Sequence, residues 1–194
     1  MPIDPEIHCG EFCPCCGAPM ERVIEPYQNP ECSQDGGSSV RTLFGLLDNI
    51  RSAYNVGAIF RTAEGVGVRH LYLCGFTPTP TENLALAKTG LGAEEDLLWS
   101  HHRNALSLAY ALRDKGYRLL ALECMPQATP IYRFRGEPPD ERPIVLVVGN
   151  ERAGIDPGLI DLCDEVLALP MAGNKASLNV AVAFGVAAYW LSFV

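Results

Sequence analysis

The 194-residue sequence predicts an α/β fold: a largely parallel sheet with helices on both faces, preceded by a small cysteine-rich segment. Short apolar runs alternate with helix-period segments, as in successive βα units. Several runs are continuously apolar, as strands covered on both faces must be. Five of the eight cysteines crowd the first 32 residues.

Residues 1–40 carry Asp4, Glu6, Glu11, Glu21, Glu25, Glu31 and Asp35 against Arg22 alone, so −6 of the net −8 lies there and the remaining chain sums to −2. A near-neutral body can still present local arginines to phosphates, and Arg41, Arg51, Arg61 and Arg69 fall close together; bulk charge therefore neither supports nor excludes a nucleic acid. Cys13-Pro14-Cys15-Cys16-Gly17 contains the C-P-x-C-G pattern of a zinc knuckle. A tetrahedral site from Cys9, Cys13, Cys16 and Cys32 is the expectation, with Cys15 or His8 as substitutes and a frayed tail of reactive thiols as the plain alternative. The polar stretch Ser33 to Ser39 then reads as a linker, which divides the chain into residues 1–38 and 39–194.

The expected strands are Thr42 to Leu47, His70 to Cys74, Tyr117 to Leu122, Ile144 to Val148 and Glu165 to Leu169. Helices are expected over Val56 to Gly65, Asn104 to Lys115, Asp156 to Cys163 and Ser177 to Leu191, with Asp156-Pro157 as a cap followed by a first-turn proline. Cys74, Cys124 and Cys163 stand singly among apolar neighbours and read as buried core thiols. His101, His102 and Arg103 read as an exposed loop within reach of phosphate. The longest apolar stretch, near the C-terminus, falls short of the roughly 20 residues a membrane helix needs. The first residues also lack the basic and apolar regions of a secretory signal, so a cytoplasmic protein without a membrane is expected.

In open α/β sheets the ligand crevice lies beyond the carboxyl ends of the strands, and three segments there hold polar or glycine residues. Asp48 to Ala63 runs from a strand end into a helix; Asn55 as N-cap with Arg61 projecting from a later turn is the expectation, beside the bland reading of a capped helix with a solvent arginine. Gly149-Asn150-Glu151-Arg152-Ala153-Gly154 follows an apolar strand, and its glycines permit close backbone approach to a ligand. No Gly-Lys-Ser/Thr follows, which excludes a phosphate-binding Walker loop. Gly65-Val66-Gly67 precedes a strand rather than following one, which disfavours a dinucleotide fold and a nicotinamide oxidoreductase. Leu167 to Ala181 forms a strand, a polar loop and a long apolar helix, with Ser177 as the expected N-cap and Asn179 as a buried amide in want of a partner.

Together the three segments resemble, in order, the N-x5-R, G-x-E-x-x-G and P-M-x-G-x-x-x-S-L-N-V-A motifs of the SpoU methyltransferases of the SPOUT superfamily, over roughly Leu43 to Leu191. That resemblance implies a C-terminal trefoil knot, a homodimer, and transfer of a methyl group from S-adenosylmethionine to a ribose 2'-hydroxyl of tRNA or rRNA. It assigns cofactor contacts to Leu122, Gly149, Leu169, Met171, Ser177 and Leu178, and activity to Asn55, Arg61, Glu151, Ser177 and Asn179. Arg61 is expected to act on the hydroxyl by hydrogen bonding to it or to a neighbouring phosphate, because an arginine stays protonated and makes a poor base. A non-catalytic RNA-binding or assembly protein that kept the cofactor domain is the alternative.

Overall fold

The structure, a computed structural model, describes residues 12, 16–19, 41–134 and 142–193. The chain divides into two units, Met1–Ser38 and Ser39–Val194. In the first, the described residues include a single antiparallel bridge between Phe12 and Pro19.

The second unit is built on seven strands: β1 (Leu43–Asp48), β2 (Leu71–Cys74), β3 (Trp99–His102), β4 (Arg118–Leu122), β5 (Thr129–Pro130), β6 (Ile144–Val148) and β7 (Glu165–Ala168). They pair in parallel throughout, in the order β3-β2-β1-β6-β4-β7-β5. The expected α/β class is therefore observed, and the five expected strands are present with ends shifted by at most a residue or two. Two strands went unread, β3 and β5, and both are edges. An edge strand satisfies one ladder only and stays half wet. Trp-Ser-His-His shows neither an apolar run nor alternation, and Pro130 is tolerated because an edge has a free side. His101 and His102 thus belong to β3, not to a loop.

Among the described residues the unit also holds six α-helices, α1 (Ala53–Val66), α2 (Ala87–Gly90), α3 (Ala93–Asp96), α4 (Ala105–Asp114), α5 (Pro157–Leu162) and α6 (Val180–Phe193), and one 3-10 turn, Ile131–Arg133. On one face of the sheet α1 and α6 bury Phe60, Ile59, Phe184 and Leu191 against Leu43, Leu47, Leu71 and Leu146. On the other, α4 and α5 bury Ala109, Leu112, Leu159 and Leu162 against Leu46, Leu119, Val145 and Val147. β6 is central and buried at all five positions, which accounts for its unbroken run Ile-Val-Leu-Val-Val. Each fully buried large side chain contributes about 1.5–3 kcal/mol.

Caps explain most boundary differences. Ser52, not Asn55, caps α1: its Oγ accepts the Asn55 N–H at 3.3 Å, so the helix begins three residues earlier than expected and Asn55 lies inside its first turn. Asn179, not Ser177, caps α6, its Oδ1 accepting from the N–H groups of Ala181 (2.9 Å) and Val182 (3.4 Å). Asp156 caps α5 as expected, accepting from Gly158 N–H at 2.8 Å ahead of Pro157. Burial pushes the thiols of Cys74 and Cys163 up to about 12, in keeping with core cysteines. Cys124 is exposed, contrary to expectation, because it lies just past the end of β4. Among the described residues no helix is long and apolar enough to cross a membrane.

Candidate active site

The carboxyl ends of β4, β6 and β7 open on one cavity of about 430 Å³, within the usual range for small-molecule sites. Its wall combines apolar side chains (Leu122, Val148, Leu169, Met171, Leu178) with a polar side formed by Glu123, Asn150, Glu151, Ser177 and Asn179. All six residues expected against a cofactor line it. Gly149 is buried, and a Cβ there would run into the backbone of Gly154 and Ile155; the loop after β6 closes this tightly only around a glycine.

The loop after β6 is held first by itself. Asn150 and Gly154 exchange backbone hydrogen bonds (3.0 and 2.9 Å), and Asn150 Oδ1 accepts from the N–H groups of Arg152 (2.9 Å) and Ala153 (3.0 Å). It is then latched to the loop after β1. Asn150 Nδ2 donates to the Asn49 carbonyl at 2.7 Å, and the Asp156 N–H donates to Asp48 at 3.1 Å. Glu151 completes the latch, its carboxylate accepting from Arg51 N–H (2.9 Å), Ser52 N–H (3.0 Å) and Asn55 Nδ2 (2.8 Å). A negative group at the N-terminus of α1 also suits the helix dipole. The third loop joins through Asn179, whose Nδ2 donates to Asn55 Oδ1 at 3.1 Å. Asn179 is thus exposed rather than buried, and it does have the partner its amide demands.

Partial burial pushes the Glu151 carboxyl up. Hydrogen bonds from Arg51 N–H, its own N–H, the Asn55 amide and Ser52 N–H outweigh that and hold it below the ordinary glutamate value of 4.5. A depressed folded pKa means the stabilisation is present above the unfolded value and is lost as pH falls through the folded one. Glu151→Gln is therefore expected to melt earlier than the unmodified protein at neutral pH, with the difference closing below about pH 4.5 in a pH series of thermal melts. An unchanged gap across that range would refute the latch.

Asn55, Glu151, Ser177 and Asn179 are brought to this region; Arg61 is not. It is exposed on α1, outside the cavity lining, with no side-chain partner among the described residues. Two site residues went unread. Asp48 is 2 % exposed, and burial pushes its carboxyl up even as it accepts from Asp156 N–H and Asn49. Glu123 accepts from the N–H groups of Cys124 (3.0 Å) and Ile155 (3.1 Å) and so joins β4 to the loop after β6. The available signal was an acid directly at the end of an apolar run, where a strand delivers its next side chain to the crevice. Of the cysteines expected to hold zinc, Cys9, Cys13 and Cys32 lie outside the described residues and Cys16 is exposed. Among the described residues no cluster of three or more His, Cys, Asp or Glu is placed to hold a metal.

A parallel sheet whose loops after β1, β6 and β7 are cross-latched, the last two around a half-apolar cavity, defines an α/β protein with a ligand-sized crevice at its strand ends. The chain belongs to the SpoU rRNA Methylase family, whose profile matches residues 43–189. It is 29% identical over 150 residues to the tRNA (guanosine(18)-2'-O)-methyltransferase of Aquifex aeolicus, covering 77% of this chain and 68% of that one. It is 30% identical over 157 residues to the 23S rRNA (guanosine-2'-O-)-methyltransferase RlmB of Acinetobacter baylyi, covering 77% and 58%. Among solved structures it resembles the AdoMet-bound rRNA methyltransferase from Sinorhizobium meliloti, with a TM-score of 0.70 at 25% identity over 79% of this chain and 56% of that one. The chain spans roughly half to two-thirds of the length of the curated relatives it matches.

Proposed function

We propose that this protein transfers a methyl group from S-adenosylmethionine to a ribose 2'-hydroxyl of tRNA or rRNA. The observation that carries the reading is that the loops after β4, β6 and β7 line a single cavity, while Asn55 at the start of α1 ties Glu151 to Asn179 on its polar side. The residues present fit the cofactor: Leu122, Leu169, Met171 and Leu178 offer an apolar wall for an adenine, and the close approach at Gly149 puts backbone groups beside it. When bound, S-adenosylmethionine supplies a methyl group activated on a sulfonium. The hydroxyl oxygen gains a carbon and loses its proton, so the protein's task is to position that oxygen and support its developing charge. Asn179 presents its amide at the cavity wall, Asn55 fixes that amide, and Glu151 holds the start of α1 in place. Arg61 supplies the charge-supporting guanidinium, and the proton passes to water or a phosphate. The trefoil knot belongs to the same proposal, supported by the likeness to family structures.

A homodimer is part of it. Val182, Val186, Tyr189 and Phe193 form an exposed apolar stripe along α6, spaced to fall on one helix face. Arg61 lies beside that stripe: Thr62 packs on Gly185, and Gly65 faces the Tyr189 hydroxyl. A second copy docked here covers the apolar face and brings Arg61 toward the cavity of the partner. Val186→Glu is expected to sediment as a monomer and to lose most of its methyl transfer; a dimer of unchanged stability would refute the interface.

The functional test is direct. Purified protein, total bacterial RNA and methyl-labelled S-adenosylmethionine should yield 2'-O-methylated nucleosides on digestion and mass spectrometry. Uptake of the cofactor without methylated RNA would favour a non-catalytic RNA-binding protein, and no uptake by folded protein would overturn the reading altogether.

A further inference from the structure

Beyond the end of β2, Phe76 is 61 % exposed, yet the turn that presents it is fastened at each position. Gly75, at φ 63°, donates its N–H to the His102 carbonyl at 2.9 Å. The Phe76 N–H donates to Asn49 Oδ1 at 3.3 Å. Thr77, 2 % exposed, donates its hydroxyl to the Cys74 carbonyl at 2.7 Å and accepts from Ile50 N–H at 3.0 Å. Asn49 itself stands at φ 55°, in the left-handed region where a residue with a side chain is uncommon. A Cβ on Gly75 would strike the Asn49 side chain, so only glycine fits beside Asn49 at this turn. Four hydrogen bonds hold the turn in this conformation, which Asn and Gly adopt more readily than other residues. Here its product is an apolar ring held out to water, where it adds nothing to the core.

The neighbours of the ring point to what covers it. The bond from Gly75 to the His102 carbonyl sets Arg103 at the same turn, exposed and with no side-chain partner among the described residues. His101 Nε2 meets the Gly75 carbonyl at 2.8 Å, which calls for the proton on Nε2. The turn is also tied to the candidate active site, because the Asn49 carbonyl accepts from Asn150, the residue before Glu151. An exposed aromatic ring and an unengaged arginine on two backbone-joined turns is an arrangement that can stack a base and pair its phosphate in single-stranded RNA.

We propose that Phe76 and Arg103 form a nucleobase subsite for single-stranded RNA, which seats a nucleotide flanking the one that is methylated. The base stacks on the ring, and the adjoining phosphate meets Arg103. The proposal rests on the RNA methyltransferase reading for its role, though the binding itself is measured separately. Phe76→Ala, Phe76→Trp and Arg103→Ala would be compared for binding of fluorescein-labelled oligouridylate and oligoadenylate with S-adenosylhomocysteine present, and for KM and kcat on total bacterial RNA. Phe76→Ala should weaken oligonucleotide binding and raise the KM for RNA on the order of tenfold, with the loss carried by KM rather than kcat. Phe76→Trp should restore both, and Arg103→Ala should lower the salt dependence of binding by about one phosphate contact. Equal oligonucleotide binding and KM in Phe76→Ala would overturn the subsite. So would a changed sedimentation coefficient, which would make the ring a contact between chains. If the unmodified protein binds the oligonucleotides through Phe76 but methylates no RNA, the methyl-transfer reading fails and the subsite stands.

Discussion

Replacing Arg61 with alanine is expected to abolish methyl transfer while S-adenosylmethionine still binds with nearly unchanged affinity. The side chain is exposed, lies outside the cavity lining and has no partner among the described residues, so its loss removes neither a cofactor contact nor a core contact. Surface substitutions of that kind change stability by about 0.5 kcal/mol or less. Removing a group that supports charge on a reacting oxygen costs roughly 10²–10³ in kcat. The expected pattern is therefore a melting temperature and a calorimetric cofactor affinity close to those of the unmodified protein, with turnover down at least a hundredfold. Arg61→Lys should recover only part of it, since an ammonium lacks the planar fork that can meet an oxygen and a phosphate together. Full activity in Arg61→Ala would remove the residue from the chemistry.

Gly149→Ala should act on the other half of the reaction. The added methyl has no space of its own: it meets the backbone of Gly154 and Ile155, which no side-chain rotation can move aside. The loop must open, and with it the Asn150–Gly154 bridge and the latch from Asn150 to Asn49. Overpacking of this sort costs about 1–3 kcal/mol in stability. Cofactor affinity should fall further still, because the displaced loop is one wall of the cavity. Calorimetry and thermal melts would read both effects together. A Gly149→Ala protein that binds S-adenosylmethionine normally would show that the cofactor does not use this wall.

The two positions also show how far local sequence reasoning reaches. Gly149 stood out because glycine directly after an apolar strand is what close approach demands, and that inference needs only local chain geometry. For Asn55 the sequence suggests a local task that the structure gives to another residue. A cap was expected, but Ser52 takes that position and leaves the Asn55 amide free to join Glu151 and Asn179. Asn179 was read as buried because α6 is almost uncharged, yet it is exposed, and so are Val182, Val186, Tyr189 and Phe193. Apolar composition reports that a face wants cover; whether the cover comes from the same chain is not written in it.

By itself the sequence determined the parallel α/β class, the central strands and the three loops that matter, since these follow from hydrophobic period and from glycine and polar residues at strand ends. The tertiary structure alone decided which of those residues meet. Glu151 reaches Arg51, Ser52 and Asn55, and Asn179 reaches Asn55, across about a hundred residues or more of chain. Such contacts depend on strand order, which places β6 beside β1, and no local pattern encodes that adjacency.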